Sequence, residues 1–375
     1  MQTYQEIELY DEPLELLEEW REKKIISTNG ALMKDQEIGF ICGLIKKFSP
    51  QKLVEVGVAA GGTSAVILKC IDLLKLKTQM YSVDLAEKYY FGKNENRNSG
   101  YLIENLKEFD VDLNNHKLLL GKVIASRLNE IGDEIDFLIL DTTHCLPGEI
   151  LDFLALFPYL RKDAVVVLHD VRRHFNVDKS YATGVLFNTV VADKFINNAK
   201  EYPNIAAFRL NEDTSKYIMD VFAGLLMPWA YMPAEELLID YESVIFEKYP
   251  EACIKLYNQA KYESNQLLNR ETPYIEFKPG INIETFENIL LYGTKKTGTK
   301  CLEYLKENNI LIKGFVVSDG FQESERVKGF PVYEFSKIPY SFENTLILLT
   351  NGAVATKNTL KKSPYHWAQV VLFEY

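Results

Sequence analysis

Three carboxylates and three imidazoles in this chain have the type and spacing to do chemistry. Asp84, Asp141 and Asp170 each close a short apolar run: QMYSVD, IDFLILD and AVVVLHD. Such runs are predicted to be buried strands. All three acids then fall at strand C-terminal ends, where open α/β sheets hold their ligands. His144 follows Asp141 by one short turn, in the loop after the strand. An imidazole there has an intrinsic pKa suited to general-base work. His169, just before Asp170, and His174, just after it, are weaker candidates for that role. The competing reading is plainer: the acids only cap helices and bond loops, and His144 is a satisfied loop histidine. His116 and His366 read as peripheral.

These residues need a scaffold, and the stretch KLVEVGVAAGGTS, residues 52–64, gives its centre. The first half alternates and is rich in Val and Leu, which predicts a short buried strand. Gly57, Gly61 and Gly62 then break it, and an apolar run at helical spacing starts after Thr63 and Ser64. A strand–glycine turn–helix unit lets a ligand approach the backbone and aims helix N–H groups at it. Glu55 sits inside the strand, where a lone charge is costly without a partner.

The remaining elements alternate. Helices are expected over 14–24, 35–48, 101–109, 150–160 and 181–198. Strands are expected over 79–84, 117–120, 135–141 and 164–169. Segments 206–210 and 216–222 read as a closing hairpin. This pattern predicts a doubly wound, mostly parallel, seven-stranded sheet with a terminal antiparallel hairpin. A long helical region, 234–269, leads to a linker at 271–280. A second, smaller Rossmann-like α/β unit follows. The expected domains are 1–232, a connector at 233–280, and 281–375.

Composition narrows the function. The chain has 375 residues, 47% of them apolar, with a net charge of −11. A chain this acidic is no general nucleic-acid binder, because phosphate contacts need clustered Lys and Arg. Five cysteines, far apart and without a CxxC pair, support neither a disulfide framework nor a zinc site. The acidic start MQTYQEIELYDEP lacks the apolar core of a secretory signal. No apolar run reaches membrane-spanning length. A soluble, cytoplasmic protein is expected, with its oligomeric state open between monomer and homo-oligomer.

The motifs taken together resemble class I S-adenosylmethionine-dependent methyltransferases, over roughly 35–222. LVEVGVAAGGTS looks like the family's first motif, where the glycine turn approaches the amino-acid part of the cofactor. YSVD is similar to the second, whose terminal acid takes the ribose hydroxyls. The resemblance therefore implies S-adenosylmethionine as cofactor. Its contacts would come from Glu55, Gly57, Gly61, Gly62, Thr63, Ser64 and Asp84. MKDQEIGFICGLIKKFSPQKLVEVGV resembles the entry of the catechol and caffeoyl-CoA O-methyltransferases. LILDTTHCLPGEILDFLALFPYLRKDAVVVLHDV resembles that group and also the macrocin O-methyltransferase and cephalosporin-hydroxylase-like group. In these families the corresponding acids hold a divalent cation, which implies Mg²⁺ or a similar ion at Asp141 and Asp170. Two departures stand out. The catechol type has an oxygen ligand directly after the second Asp, where this chain has Val171. It has a Lys base where this chain has His144. His169 or water would supply the missing ligand. Asp141 and His144 are the expected catalytic residues, and Tyr89, Tyr90 and Phe91 are candidates for the mouth of the site.

The C-terminal stretch ILLYGTKKTGTKCLEYLKENNILIKGFVVSDGFQESERVKGFPVYEFSKIP resembles Rossmann-like units of bacterial sugar-modifying enzymes. Thr294, Thr297 and Thr299 are its candidates for bonding phosphate or sugar. The expected partner is a small molecule, a sugar or nucleotide-sugar. A nucleotide-sugar reductase or isomerase is a rival, but its Tyr-x3-Lys pair occurs only at Tyr292/Lys296 and Tyr333/Lys337, neither in an expected helix. A binding or scaffold protein with a vestigial enzyme fold is the second rival.

Overall fold

The computed structural model describes residues 4–26, 33–90, 96–109, 111–171, 182–197, 204–268, 274–278, 282–350 and 354–373. His174 and Phe91 lie outside them. The chain divides into two units, Met1–Leu268 and Asn269–Tyr375.

In the first unit the strands are β1 Tyr4–Ile7, β2 Lys52–Val56, β3 Gln79–Asp84, β4 His116–Leu120, β5 Ile135–Leu140, β6 Leu160–His169, β7 Asp193–Asn197 and β8 Ile205–Arg209. The helices are α1 Glu15–Glu22, α2 Asp35–Phe48, α3 Gly62–Leu73, α4 Leu128–Ile131, α5 Gly148–Leu156, α6 Ala182–Thr189, α7 Glu212–Lys216, α8 Ile218–Gly224, α9 Glu235–Lys248 and α10 Glu251–Leu268. The sheet order is β1-β7-β8-β6-β5-β2-β3-β4. Strand β8 runs antiparallel to β6 and β7, and the other pairings are parallel. From β2 the chain steps to β3 and β4 on one side and to β5 and β6 on the other. The switch point therefore lies between β2 and β5, where the C-terminal strand ends leave a crevice.

Periodicity explains the layers. Leu53 of β2 enters one core with Trp20, Phe40 and Ile67, whereas Val54 and Val56 enter the other with Phe153, Leu154 and Phe222. Strand β5 reads Ile-Asp-Phe-Leu-Ile-Leu and is buried almost throughout, as a central strand covered on both faces must be. Helix α2 starts where the Glu37 carboxylate takes the N–H of Lys34 at 2.8 Å. It ends at Ser49, in the left-handed conformation just before Pro50.

The mostly parallel α/β architecture holds, but four details differ from expectation. The described sheet has eight strands rather than seven, because Tyr4–Ile7 adds an edge to β7. The antiparallel pair is β7 with β8, not 206–210 with 216–222. Residues 212–224 instead form α7 and α8, because Asn211 caps α7 by accepting the N–H of Asp213. The region read as a connector packs onto the first unit: Leu238, Tyr241, Ile245, Cys253 and Tyr257 of α9 and α10 are buried in its core. The stretch read as a linker contains a strand, described next.

The second unit contains β9 Tyr274–Lys278, β10 Asn288–Tyr292, α11 Lys296–Glu307, β11 Gly314–Val317, β12 Arg326–Val327, β13 Phe330–Glu334, β14 Thr345–Leu349, α12 Val354–Lys361 and β15 His366–Phe373. Its sheet order is β12-β13-β11-β10-β14-β15-β9, with a parallel centre and antiparallel edges. Among the described residues no helix is long and apolar enough to cross a membrane.

Candidate active site

The glycine turn after β2 touches the end of β5. Gly57 has φ +96°, and a Cβ there would stand 1.8 Å from the carbonyl oxygen of Asp141. Only glycine lets the two strand ends approach this closely. Asp84 then fastens the turn from the β3 side. Its Oδ2 accepts the N–H groups of Val58 and Ala59, each at 2.9 Å, and its Oδ1 accepts that of Ala86 at 2.8 Å.

Glu55 lies beneath the turn, 2% exposed. Its Oε2 accepts the hydroxyls of Ser64 at 2.6 Å and Ser82 at 2.8 Å. Burial nonetheless pushes its carboxyl up to about 7, the two serines pulling the other way. His116 extends this network, with Nε2 at 3.1 Å from Ser82 Oγ, and burial pushes its pKa down to about 4. It is a half-buried member of the support and not the peripheral residue expected.

A cavity of about 350 Å³ opens over the switch point. Gly57, Asp84 and Asp141 line it, with Leu85, Ala86, Val123, Ile124 and Leu151. Tyr90 lines it as well, whereas Tyr89 packs edge-on against Tyr101. Gly61, Gly62, Thr63 and Ser64 form the start of α3 instead, and neither they nor Glu55 line the cavity.

The other predicted residues gather beside it, at the ends of β5 and β6. Ligand atoms of Asp141, His144 and Asp170 all lie within 4.8 Å of one another. The Nε2 of His144 is 3.1 Å from Asp170 Oδ2 and 3.8 Å from Asp141 Oδ1. Its Nδ1 is 3.2 Å from Glu149 Oε1. His144 and Asp170 both adopt positive φ, +59° and +56°. Such conformations cost on the order of 1 kcal/mol each in non-glycine residues and tend to concentrate at functional sites.

His169 is placed differently from expectation. Its Nδ1 is 2.9 Å from Asp141 Oδ1 and its Nε2 is 3.3 Å from Glu37 Oε2. Both ring nitrogens face carboxylates, which leaves His169 outside the three-residue cluster. Electrostatics follow from the geometry. Burial alone would depress His144, but Glu149, Asp141 and Asp170 outweigh it and raise its pKa. The balance is more lopsided at His169, where Asp141, Glu37 and Asp170 overcome burial and raise it well above its ordinary value.

Sequence reading missed several contributors. Glu149 accepts the backbone N–H of His144 at 2.6 Å and that of Thr142 at 3.3 Å. Asp152, 4% exposed, accepts Tyr241 OH at 2.5 Å and Thr142 Oγ1 at 3.0 Å, and lines the cavity. Burial pushes Asp152 up to about 7, with Glu149 adding to the rise against those two bonds. Tyr231, Pro233, Leu237 and Tyr241 supply another wall from the C-terminal part of the unit. The signal for Glu149 and Asp152 was present: two acids one helical turn apart in the otherwise apolar GEILDFLAL.

Three solved structures are among those similar to this chain. An O-methyltransferase from Bacillus cereus in complex with SAH is 13% identical, with 54% of this chain and 92% of that chain covered and a TM-score of 0.38. The O-methyltransferase TomG from Streptomyces achromogenes, in complex with SAM, is 16% identical over 55% of this chain and 92% of that one, with a TM-score of 0.38. An SAH-bound methyltransferase from Podospora anserina is 11% identical over 55% and 91%, with a TM-score of 0.40. No curated protein matches the chain. Residues 54–171, from within β2 to just past β6, match the family model described as a methyltransferase domain, and Asp84, Asp141, His144 and Asp170 all lie in the matched stretch.

Proposed function

We propose that the first unit is an S-adenosylmethionine-dependent O-methyltransferase whose donor occupies the cavity and whose acceptor hydroxyl meets Asp141. One observation carries this reading: Asp141 both lines the cavity and belongs to the acidic cluster. The cavity volume lies within the range of small-molecule sites. Leu85, Ala86, Val123, Ile124 and Leu151 offer apolar walls suited to an adenine ring, and Asp84 lies at the lip for the ribose. Glu55, Gly61, Gly62, Thr63 and Ser64 act on the donor by shaping the turn. In the transfer the acceptor oxygen bonds the methyl carbon while the carbon–sulfur bond breaks. The electron pair stays on sulfur, and the acceptor's proton passes to the carboxylate cluster or to water. The domain's part is positioning and charge, since two reactants held in line gain most of their rate from proximity.

Asp141, His144 and Asp170 fit a divalent cation. Two carboxylates and an imidazole suit Mn²⁺, Zn²⁺ or Mg²⁺. When bound, such an ion lowers the pKa of a hydroxyl on it. Within this reading His144 is a ligand and not the base, because Nε2, the ring nitrogen that faces Asp141 and Asp170, is the one the ion would take up. We place the acceptor among sugars, nucleotide-sugars and hydroxylated natural products, supported by the affinity of an acidic, cation-ready cluster for hydroxyl groups. Five free cysteines, four of them buried, support a reducing compartment.

The test is transfer of labelled methyl from S-adenosylmethionine to a panel of sugars, nucleotide-sugars and phenols, followed by mass spectrometry. Label on an acceptor oxygen is expected, with loss in Asp141→Asn and in EDTA. Activity that survives both removes the cation and leaves the methyl transfer. Label on nitrogen or carbon instead overturns the O-methyl assignment.

A second reading assigns nucleotide or sugar binding to the second unit. It is favoured by a cavity of about 270 Å³ lined by Gly293, Thr294, Thr297, Gly298, Ser318 and Thr350. A mass-spectrometric screen of nucleotide-sugars with S-adenosylhomocysteine present tests it, and ligands retained equally by Thr294→Val/Thr297→Val would contradict it.

A further inference from the structure

Glu37 lies on α2, outside the matched stretch, and is 4% exposed. Its carboxylate faces three pieces of chain. Oε2 accepts the Lys34 N–H at 2.8 Å and lies 3.3 Å from His169 Nε2. Oε1 accepts the Asn204 N–H at 3.3 Å. Each of the last two contacts leads on to one acid of the cluster. His169 reaches Asp141 Oδ1 through Nδ1 at 2.9 Å. Asn204 donates its side-chain amide to Asp170 Oδ1. One buried carboxylate thus stands behind both strand-end acids, through an imidazole on one arm and an amide on the other.

We propose that Glu37 is the positioning residue that sets the orientation of both Asp141 and Asp170 for a divalent cation. This rests on the cation reading of the same cluster. Residues behind metal ligands fix ligand rotamers, and losing them typically costs 10- to 100-fold in metal affinity. The geometry also makes His169 a clamp and not a ligand, since both of its nitrogens are held by carboxylates. The plainer alternative is that Glu37 only caps α2 through Lys34. A cap alone would lower thermal stability without moving cation affinity.

Mn²⁺ titration of the full chain, read by the electron paramagnetic resonance of free Mn²⁺, separates these. The wild type is expected to bind one Mn²⁺. Glu37→Gln is expected to weaken that binding at least tenfold and to lower kcat, with KM for S-adenosylmethionine within about twofold. Glu37→Asp should recover part of the loss. His169→Asn keeps an amide in reach of Asp141 but cuts the link to Glu37, so it should reproduce much of the Glu37→Gln effect. Combining the two should add less than their sum, because they share one arm. His169→Asn also carries the test if Glu37→Gln fails to fold. Wild-type binding with unchanged affinity in the variant that folds overturns the positioning role alone. A wild type that binds no Mn²⁺ overturns the cation reading and this role with it.

Discussion

Glu55 is a charged side chain at the centre of a sheet, and its cost is visible in its own titration. The group ionises near 4.5 when unfolded and near 7 when folded, through burial opposed by Ser64 and Ser82. Between those values the folded chain holds a proton that the unfolded chain has lost. Its contribution is therefore full below pH 4.5 and falls as pH rises through 7. The span is on the order of 3 kcal/mol. Glu55→Gln keeps an oxygen for both serines and removes the titration. Urea midpoints at pH 5 and pH 8 should differ less in this variant than in the wild type; an equal difference would contradict the assignment. The sequence showed that Glu55 needed partners but not which ones, because Ser64 and Ser82 come from a helix and a neighbouring strand. Glu149 and Asp152 carried the same sign and were passed over, because the apolar residues around them made the stretch read as an ordinary packing helix. Glu37 was invisible as a functional residue. Its importance comes from contacts to His169 and Asn204, far along the chain.

At the scale of elements, the β2–β5 junction decides whether the site exists. Gly57 has positive φ and no room for a Cβ against the Asp141 carbonyl. Gly57→Ala should force that carbonyl away, cost at least about 2 kcal/mol as a strained, overpacked substitution, and weaken donor binding together with stability. Thermal melts and binding measured side by side check this; an unshifted melting point would contradict the packing described. Strands β2, β3, β5 and β6 were legible because each is an apolar run ended by an acid or glycine. Strand β7 was not. Asp193–Asn197 is short and was absorbed into an expected helix. Residues 216–222 alternate like a strand, yet the Asn211 cap commits the chain to helix just before them. Local alternation loses there to capping and to burial of Val221 and Phe222.

The whole molecule is two α/β units, and the boundary lies later than composition suggested. Helices α9 and α10 bury Ile245, Cys253 and Tyr257 in the first core and bring Leu237 and Tyr241 to the cavity wall. A chain ending at residue 232 should therefore aggregate or melt far below the full protein, whereas one ending at 268 should fold. Circular dichroism melts of the two decide, and a stable 1–232 chain would show that these helices are dispensable. The alternation of strands and helices made both units legible from sequence. Which of them owned residues 233–268 was not, since an amphipathic helix carries no label for the face it will cover.

The most direct test of the central claim is calorimetry of the full chain with S-adenosylmethionine and S-adenosylhomocysteine. One saturable site is expected, weakened at least about tenfold by Asp84→Ala, which frees the Val58 and Ala59 N–H groups and loosens the turn. Absence of binding in protein shown by its melt to be folded would contradict the methyl-donor site, and unchanged affinity in Asp84→Ala would contradict its placement over the glycine turn between β2 and α3.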